Sequence, residues 1–194
     1  MKTILRTDRL ALGPVTIADT DRVYEFCQDA ELQACVPVPA PYKRSDAEFF
    51  TGTYATDAAT STKFSLWAIR LNDGPAPQAG PRPLVGVIEL RFAPVGSAEV
   101  GFWLGAEHRG QGLMTEALRT VADFAFDREG LALTRLHWEC VVGNVASAIV
   151  AQRNGFHFEG VTRGGLVHRD RRVDAWTATL LRDDAREPAP GWPL

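Results

Sequence analysis

The chain has 194 residues, 45% of them apolar and 23% charged, with a formal charge of −3, which suits one compact globular domain and excludes a globally disordered chain or a broadly basic nucleic-acid binder. No stretch approaches the roughly 20 apolar residues of a membrane helix, and the opening MKTILRTDRLALGP lacks the apolar core of a signal peptide. Three cysteines, Cys27, Cys35 and Cys140, without CxxC spacing argue against a disulfide framework or zinc knuckle, so reduced thiols in a cytoplasmic protein are expected.

In chain order, RLALGPV reads as a short strand closed by Gly13-Pro14. Val23, Phe26, Cys27 and Ala30 then fall on one helical face. Pro37, Pro39 and Pro41 break the chain, and Ser45 with Glu48 three residues later forms a capping-box pattern opening a second helix that carries Phe49, Phe50 and Tyr54. KFSLWAIRL and LVGVIELRF read as strands joined by the polar NDGPAPQAGPRP, an exposed and mobile connection by composition, and AEVGFWL as a third strand. Short connections favour antiparallel pairing.

Leu113, Ala117, Val121, Phe124 and Ala125 make the apolar stripe of a long helix from about Gly112 to Glu129, ended by Gly130. RLHWECVV alternates as a strand, Asn144 caps a short helix that stops at Asn154-Gly155, and FHFEGVTR and RRVDAWTATLL are two final strands. The tail REPAPGWPL is irregular by its prolines. Helices first, then mostly antiparallel strands with one strand–helix–strand crossover, define an α+β or mixed-sheet domain.

The informative stretch is VGFWLGAEHRGQGLMTEAL: a strand, a glycine turn and the start of the long helix. Glycines let backbone amides approach a ligand closely, and a helix N-terminus with unpaired N–H groups suits a phosphate or pyrophosphate. A dinucleotide GxGxxG would need glycine where Thr115 stands, and no Gly-Lys-[Ser/Thr] of a Walker loop occurs.

Arg109-Gly110-Gln111-Gly112-Leu113-Met114-Thr115 resembles the (Gln/Arg)-x-x-Gly-x-(Gly/Ala) loop of the GNAT N-acetyltransferases, with Met114 departing from the last small residue. RGQGLMTEAL resembles the RimJ/RimL-like branch, as do LRTDRLALGP, AEVGFWLG, Asn144-Val145-Ala146-Ser147, Asn154-Gly155-Phe156 and Glu159-Gly160, although Gly13 stands where the branch usually has arginine. The resemblance implies a GNAT-like, mostly antiparallel central sheet flanked by helices and splayed at the acetyl-CoA site. It implies a single N-acetyltransferase domain over residues 1–184, with 185–194 as an irregular tail. Acetyl-CoA is then the cosubstrate and no metal is needed. The pyrophosphate would sit on the amides from Gly110 to Thr115, with Arg109 adding charge. Phe102 and Leu104 on the family's fourth strand, and Asn144, would meet the pantetheine arm. Arg153 reads as a surface helix-end arginine, the alternative being a contact to the 3′-phosphate.

The implied reaction is direct attack of a primary amine on the thioester. An α-amino group titrates near about 7.7–8.0 and lysine near about 10.4, so deprotonating lysine costs roughly 3.5 kcal/mol more at neutral pH. A protein or peptide N-terminal amine of the ribosomal-protein type is the expected acceptor. The alternatives are a polyamine, an aminoglycoside, or an acyl-CoA-binding domain without turnover. Glu99 matches a general-base position of some family members, balanced against an ordinary sheet-face carboxylate, and Glu89 is the weaker base candidate. The tyrosines are Tyr24, Tyr42 and Tyr54, none at the family's usual acid position; the resemblance implies that Ser147, where the RimL-like pattern carries a serine, donates to the leaving thiolate, the alternative being a first-turn helix residue that bonds backbone. His108, His137, His157 and His168 lack a nucleophile partner or metal-site spacing. Tyr42, Phe49 and Phe50 are expected on one wall of the acceptor pocket, with Trp67 and Trp103 either a second wall or simple core. Arg163, Arg169, Arg171 and Arg172 read as a solvated hairpin. No membrane and no direct nucleic-acid contact are expected, and a homodimer is left open.

Overall fold

The computed structural model describes residues 3–72 and 81–194; most of the expected 72–83 connection lies outside the described residues. The strands are β1 (Leu5–Arg6), β2 (Leu10–Gly13), β3 (Phe64–Leu71), β4 (Leu84–Ala93), β5 (Ser97–Leu104), β6 (Arg135–Val141), β7 (His157–His168) and β8 (Arg171–Leu181). They form one mixed sheet in the order β1-β2-β3-β4-β5-β6-β8-β7, the α+β architecture expected. The helices are α1 (Thr20–Phe26), α2 (Ala30–Cys35), α3 (Arg44–Phe49), α4 (Ala55–Thr60), α5 (Leu113–Phe126) and α6 (Val145–Arg153). Two compact units divide the chain: Met1–Glu89 with Phe102–Ala117, and Leu90–Gly101 with Leu118–Leu194.

In the first unit, Val23 and Phe26 of α1 and Cys27 just beyond it pack with Leu66, Ala68, Leu84 and Val87 from the strands, with Trp103 against them. Gly86 lets β4 and β5 approach, because a Cβ there would lie 2.4 Å from the Trp103 carbonyl oxygen. Behind this core, Arg70 forks onto both oxygens of the buried Asp19 at 2.8 Å and also donates to the carbonyls of Pro14 and Arg82. A buried charge pair is tolerated only when its hydrogen bonds are met in this way.

The helical segment differs from the sequence expectation in three places. The first helix stops at Phe26 and a second begins at Ala30, because the Asp29 side chain caps it by accepting from the Glu31 N–H at 3.0 Å. The third helix starts at Arg44, where the Asp46 carboxylate accepts from the Lys43 N–H at 2.7 Å, so the cap is Asp46 rather than the Ser45–Glu48 pair. Residues Phe50–Tyr54 then form a π-helical turn that period counting does not reveal.

In the second unit, β6 and β8 are antiparallel from Arg135↔Leu181 to Val141↔Ala175, and β7 pairs with β8 on the outer side. β7 runs on to His168, five residues past its expected end, through bulges near Gly160 and between Thr162 and Leu166. The long helix ends at Phe126, not Glu129; the chain then folds back so that the Leu131 N–H donates to Phe124 O, and a Cβ on Gly130 would lie 2.1 Å from that oxygen. The tail is irregular but docked: Trp192 donates to the Phe156 carbonyl at 3.1 Å and packs on Trp138 and Phe158, with ring centroids 5.4 Å away in each case.

Candidate active site

Both turn glycines adopt the left-handed region, Gly110 at φ +73° and Gly112 at φ +75°, which side chains with a Cβ disfavour. A Cβ at Gly110 would meet nothing within 4 Å, so the turn is open above its backbone. Leu113 and Met114 are buried, so they can offer a ligand only their amides, which belong to the first helical turn and have no partner within the helix. Gln111 and Gly110 are exposed, and Gly112 and Thr115 half-buried. This open cradle of amides at a helix N-terminus fits a pyrophosphate.

Arg109 is committed elsewhere. Its guanidinium meets Asp29 and Glu31, the latter at 2.9 Å, and its Nε donates to the Leu104 carbonyl at 3.2 Å. Burial alone would raise the Asp29 carboxyl, but the Arg109 hydrogen bond and the Glu31 amide bring it below the ordinary aspartate range. The side chain that was expected to add charge for a phosphate thus braces the turn against α2.

The register between β5 and β6 is parallel and covers Ser97–Glu99 with Arg135–His137. β5 continues beyond Glu99 and β6 beyond His137 without further pairing between them. β5 beyond Glu99 lies outside this register. Its backbone N–H and C=O groups suit the amide-bearing arm of coenzyme A, and obligatory polar groups of a strand require some such partner or water. Phe102 is half-buried and Leu104 buried on this strand. Glu99 is the last residue of β5 in this register and forms an ion pair with Arg91.

Asn144 caps α6, its Oδ1 accepting from the Ser147 N–H at 3.2 Å. The Ser147 hydroxyl oxygen accepts from the Trp138 indole N–H at 3.1 Å. An oxygen fixed as acceptor keeps its own proton for donation in another direction.

Trp67 is core and donates to the Thr3 carbonyl. Tyr42 is buried against Cys27; burial pushes the Tyr42 hydroxyl up and the Cys27 thiol up to about 11. Phe49 is exposed and Phe50 half-buried. His108 is packed edge-on to Phe26 and lies 3.4 Å from Arg22 rather than in solvent. Arg153, Arg163, Arg169, Arg171 and Arg172 are exposed. Among the described residues, no group of three or more His, Cys, Asp or Glu could hold a metal ion, and no helix is long and apolar enough to cross a membrane. Sequence reasoning missed the partner of Glu89: the Tyr54 hydroxyl donates to its Oε1 at 2.5 Å, a contact across 35 positions with no local signal.

A mixed eight-stranded sheet flanked by helices, with a glycine turn at a helix N-terminus, defines an α+β protein. The family described as Acetyltransferase (GNAT) domain matches residues 9–157, and the chain belongs to it. Over 100 residues, 52% of this chain and 54% of the relative, it is 35% identical to the probable N-acetyltransferase YjcK of Bacillus subtilis (strain 168). Over 80 residues, 40% of this chain and 43% of the relative, it is 41% identical to the ribosomal-protein-serine acetyltransferase of Escherichia coli (strain K12). The matched stretch thus spans about half the length of these curated relatives. Among solved structures, RimL, a ribosomal alpha-N-protein acetyltransferase in complex with coenzyme A, superposes with a TM-score of 0.77 at 19% identity, covering 92% of this chain and 98% of that one. That likeness shows the fold.

Proposed function

We propose that this chain is an acetyl-CoA-dependent N-acetyltransferase of the RimJ/RimL-like branch, acting on a protein or peptide N-terminal amine. The observation that carries the reading is the end of β5–β6 pairing at Glu99↔His137. The ribosomal-protein-serine acetyltransferase among its relatives supports the acceptor, and the family match across residues 9–157 supports an acetyltransferase domain, for which we propose the bounds 1–184 and a cytoplasmic location.

Bound acetyl-CoA supplies an acetyl group activated as a thioester. The amides from Gly110 to Thr115 hold the pyrophosphate, and the unpaired edge of β5 with Asn144 holds the arm. Glu99, directly or through a water, takes the proton of the attacking amine, and the Ser147 hydroxyl donates to the departing sulfur. Most of the acceleration comes from holding amine and thioester together.

The test is free-CoA release from acetyl-CoA with N-terminal peptides, polyamines and aminoglycosides as separate acceptors. Peptide-dependent release above the hydrolysis blank is expected. Release with small amines alone would replace the acceptor class, and absence of release with every acceptor would overturn the catalytic reading.

A further inference from the structure

Asp29 divides its carboxylate between two tasks. Oδ1 accepts from the Glu31 N–H at 3.0 Å and so caps α2, while Oδ2 accepts from a terminal nitrogen of the Arg109 guanidinium. Arg109 in turn donates from Nε to the Leu104 carbonyl, at the end of β5, at 3.2 Å. Its own backbone leads directly into Gly110 at φ +73°. One ion pair therefore joins the cap of α2, the end of β5 and the entrance of the glycine turn, and all of these residues lie in the first compact unit.

Arg109 also meets Glu31 at 2.9 Å, but the two acids are unequal. The Asp29 side chain is 26% exposed and that of Glu31 72%. An ion pair open to water is screened and contributes little, whereas a partly buried charge-assisted bond holds its geometry. With Leu104, Asp29 and Glu31 as acceptors, all three guanidinium nitrogens donate to the protein. What the turn takes from Arg109 is thus its rigid planar fork rather than its charge, a property lysine lacks.

Charge and shape make opposite demands here. By Coulomb's law alone, removing an acid close to a turn that takes a diphosphate would lessen repulsion and tighten binding. If the acid works through the conformation of the turn, its removal weakens binding, because the ligand must then order the turn itself. We propose that Asp29 is a positioning residue for acetyl-CoA, holding the glycine turn in its binding conformation through Arg109 and without touching the cofactor. This assignment rests on the acetyl-CoA-binding reading of the turn. Because linkage is reciprocal, a cofactor that steadies the turn must also steady α2.

The experiment combines calorimetric titration of the full chain by coenzyme A with hydrogen–deuterium exchange of the peptide that spans α2. Asp29→Asn keeps an acceptor oxygen for the Glu31 N–H, removes the charge that holds Arg109, and should weaken coenzyme A binding about tenfold. Glu31→Gln should change it less than about twofold. Arg109→Lys, which keeps the charge and loses the fork, should fall as far as Asp29→Asn. In the unmodified protein coenzyme A should slow exchange in α2, and in Asp29→Asn that slowing should be lost. Unchanged or tighter binding by Asp29→Asn overturns the assignment, as does near-native affinity of Arg109→Lys. Exchange in α2 that coenzyme A leaves unaltered in the unmodified protein overturns it as well, since a purely structural ion pair needs no such coupling. Failure of the unmodified protein to bind coenzyme A overturns the cofactor reading instead. Far-ultraviolet circular dichroism of the variants separates misfolding from a loosened turn.

Discussion

Arg9 lies 2.5 Å from the Glu116 carboxylate and at the same time donates to the Gln111 carbonyl at 3.1 Å. One side chain therefore ties the opening hairpin to the glycine turn and to the first turn of α5, and the Thr7 hydroxyl donates to the other Glu116 oxygen. Because a trans peptide points its C=O and the following N–H in opposite directions, holding the Gln111 carbonyl also aims the Gly112 N–H away from Arg9. Arg9→Ala should weaken acetyl-CoA binding by about three- to tenfold, as expected for one lost charge-assisted bond. Titration calorimetry showing unchanged affinity would refute this orienting role.

Gly112→Glu should abolish measurable acetyl-CoA binding while the protein stays folded. The substitution puts a Cβ on a residue at φ +75° and a carboxylate where a phosphate is expected, costs that act together. Gly110→Ala should be milder, since its Cβ would meet nothing within 4 Å. Full binding by the Gly112 variant would remove the loop from the site.

Ser147→Ala should slow turnover by roughly ten- to a hundredfold, within the range of lost acid catalysis, and change acetyl-CoA affinity little. Trp138→Phe removes the N–H that fixes the Ser147 oxygen and should give a smaller fall of the same kind. Wild-type turnover by Ser147→Ala would take the hydroxyl out of the mechanism.

Asp19→Ala should destabilise the protein by about 3–5 kcal/mol, because it strands the buried Arg70 guanidinium without its counter-charge. Urea denaturation measures this directly. A cost below about 1 kcal/mol would mean that the Pro14 and Arg82 carbonyls suffice for Arg70.

The Asp29–Arg109 link predicts a pH dependence whose sign follows from the depressed Asp29 carboxyl. A carboxyl more acidic when folded than unfolded stabilises the protein fully above its unfolded pKa of about 3.9 and loses that contribution as pH falls through its lower folded value. The melting temperature of the native protein should exceed that of Asp29→Asn at pH 7, and the gap should close on acidification below about pH 3.9. A gap that persists or widens in acid would contradict the assignment.

Where periodicity was strong, sequence and structure agree: the stripe of Leu113, Ala117 and Val121 became α5, and the alternation of Leu136, Trp138 and Cys140 became β6. The glycine turn was legible because backbone conformation at Gly110 and Gly112 is written in the residue type itself. What stayed hidden depends on distant partners. Arg109 read as a free charge, but Asp29 and Glu31 lie about 80 positions upstream. The π-helical turn at Phe50–Tyr54 has no period that a helical pattern could reveal, and Glu89 gained its partner only through tertiary folding. Asp29 broke one expected helix into two because a local cap outweighed the continuation of the apolar face.

The docked tail bears on how the gene can be handled. Trp192 covers Trp138, which in turn holds the Ser147 hydroxyl, while Leu194 is about half exposed. A purification handle appended after Leu194 leaves this cover in place, whereas a stop codon at Glu187 would remove Trp192 from both Trp138 and Phe158, with Phe158 still packed on Trp176. Such a shortened product should accumulate in inclusion bodies or be cleared by proteases, so expression trials that trim the proline-rich end as dispensable would mistake a structural seal for a loose appendage.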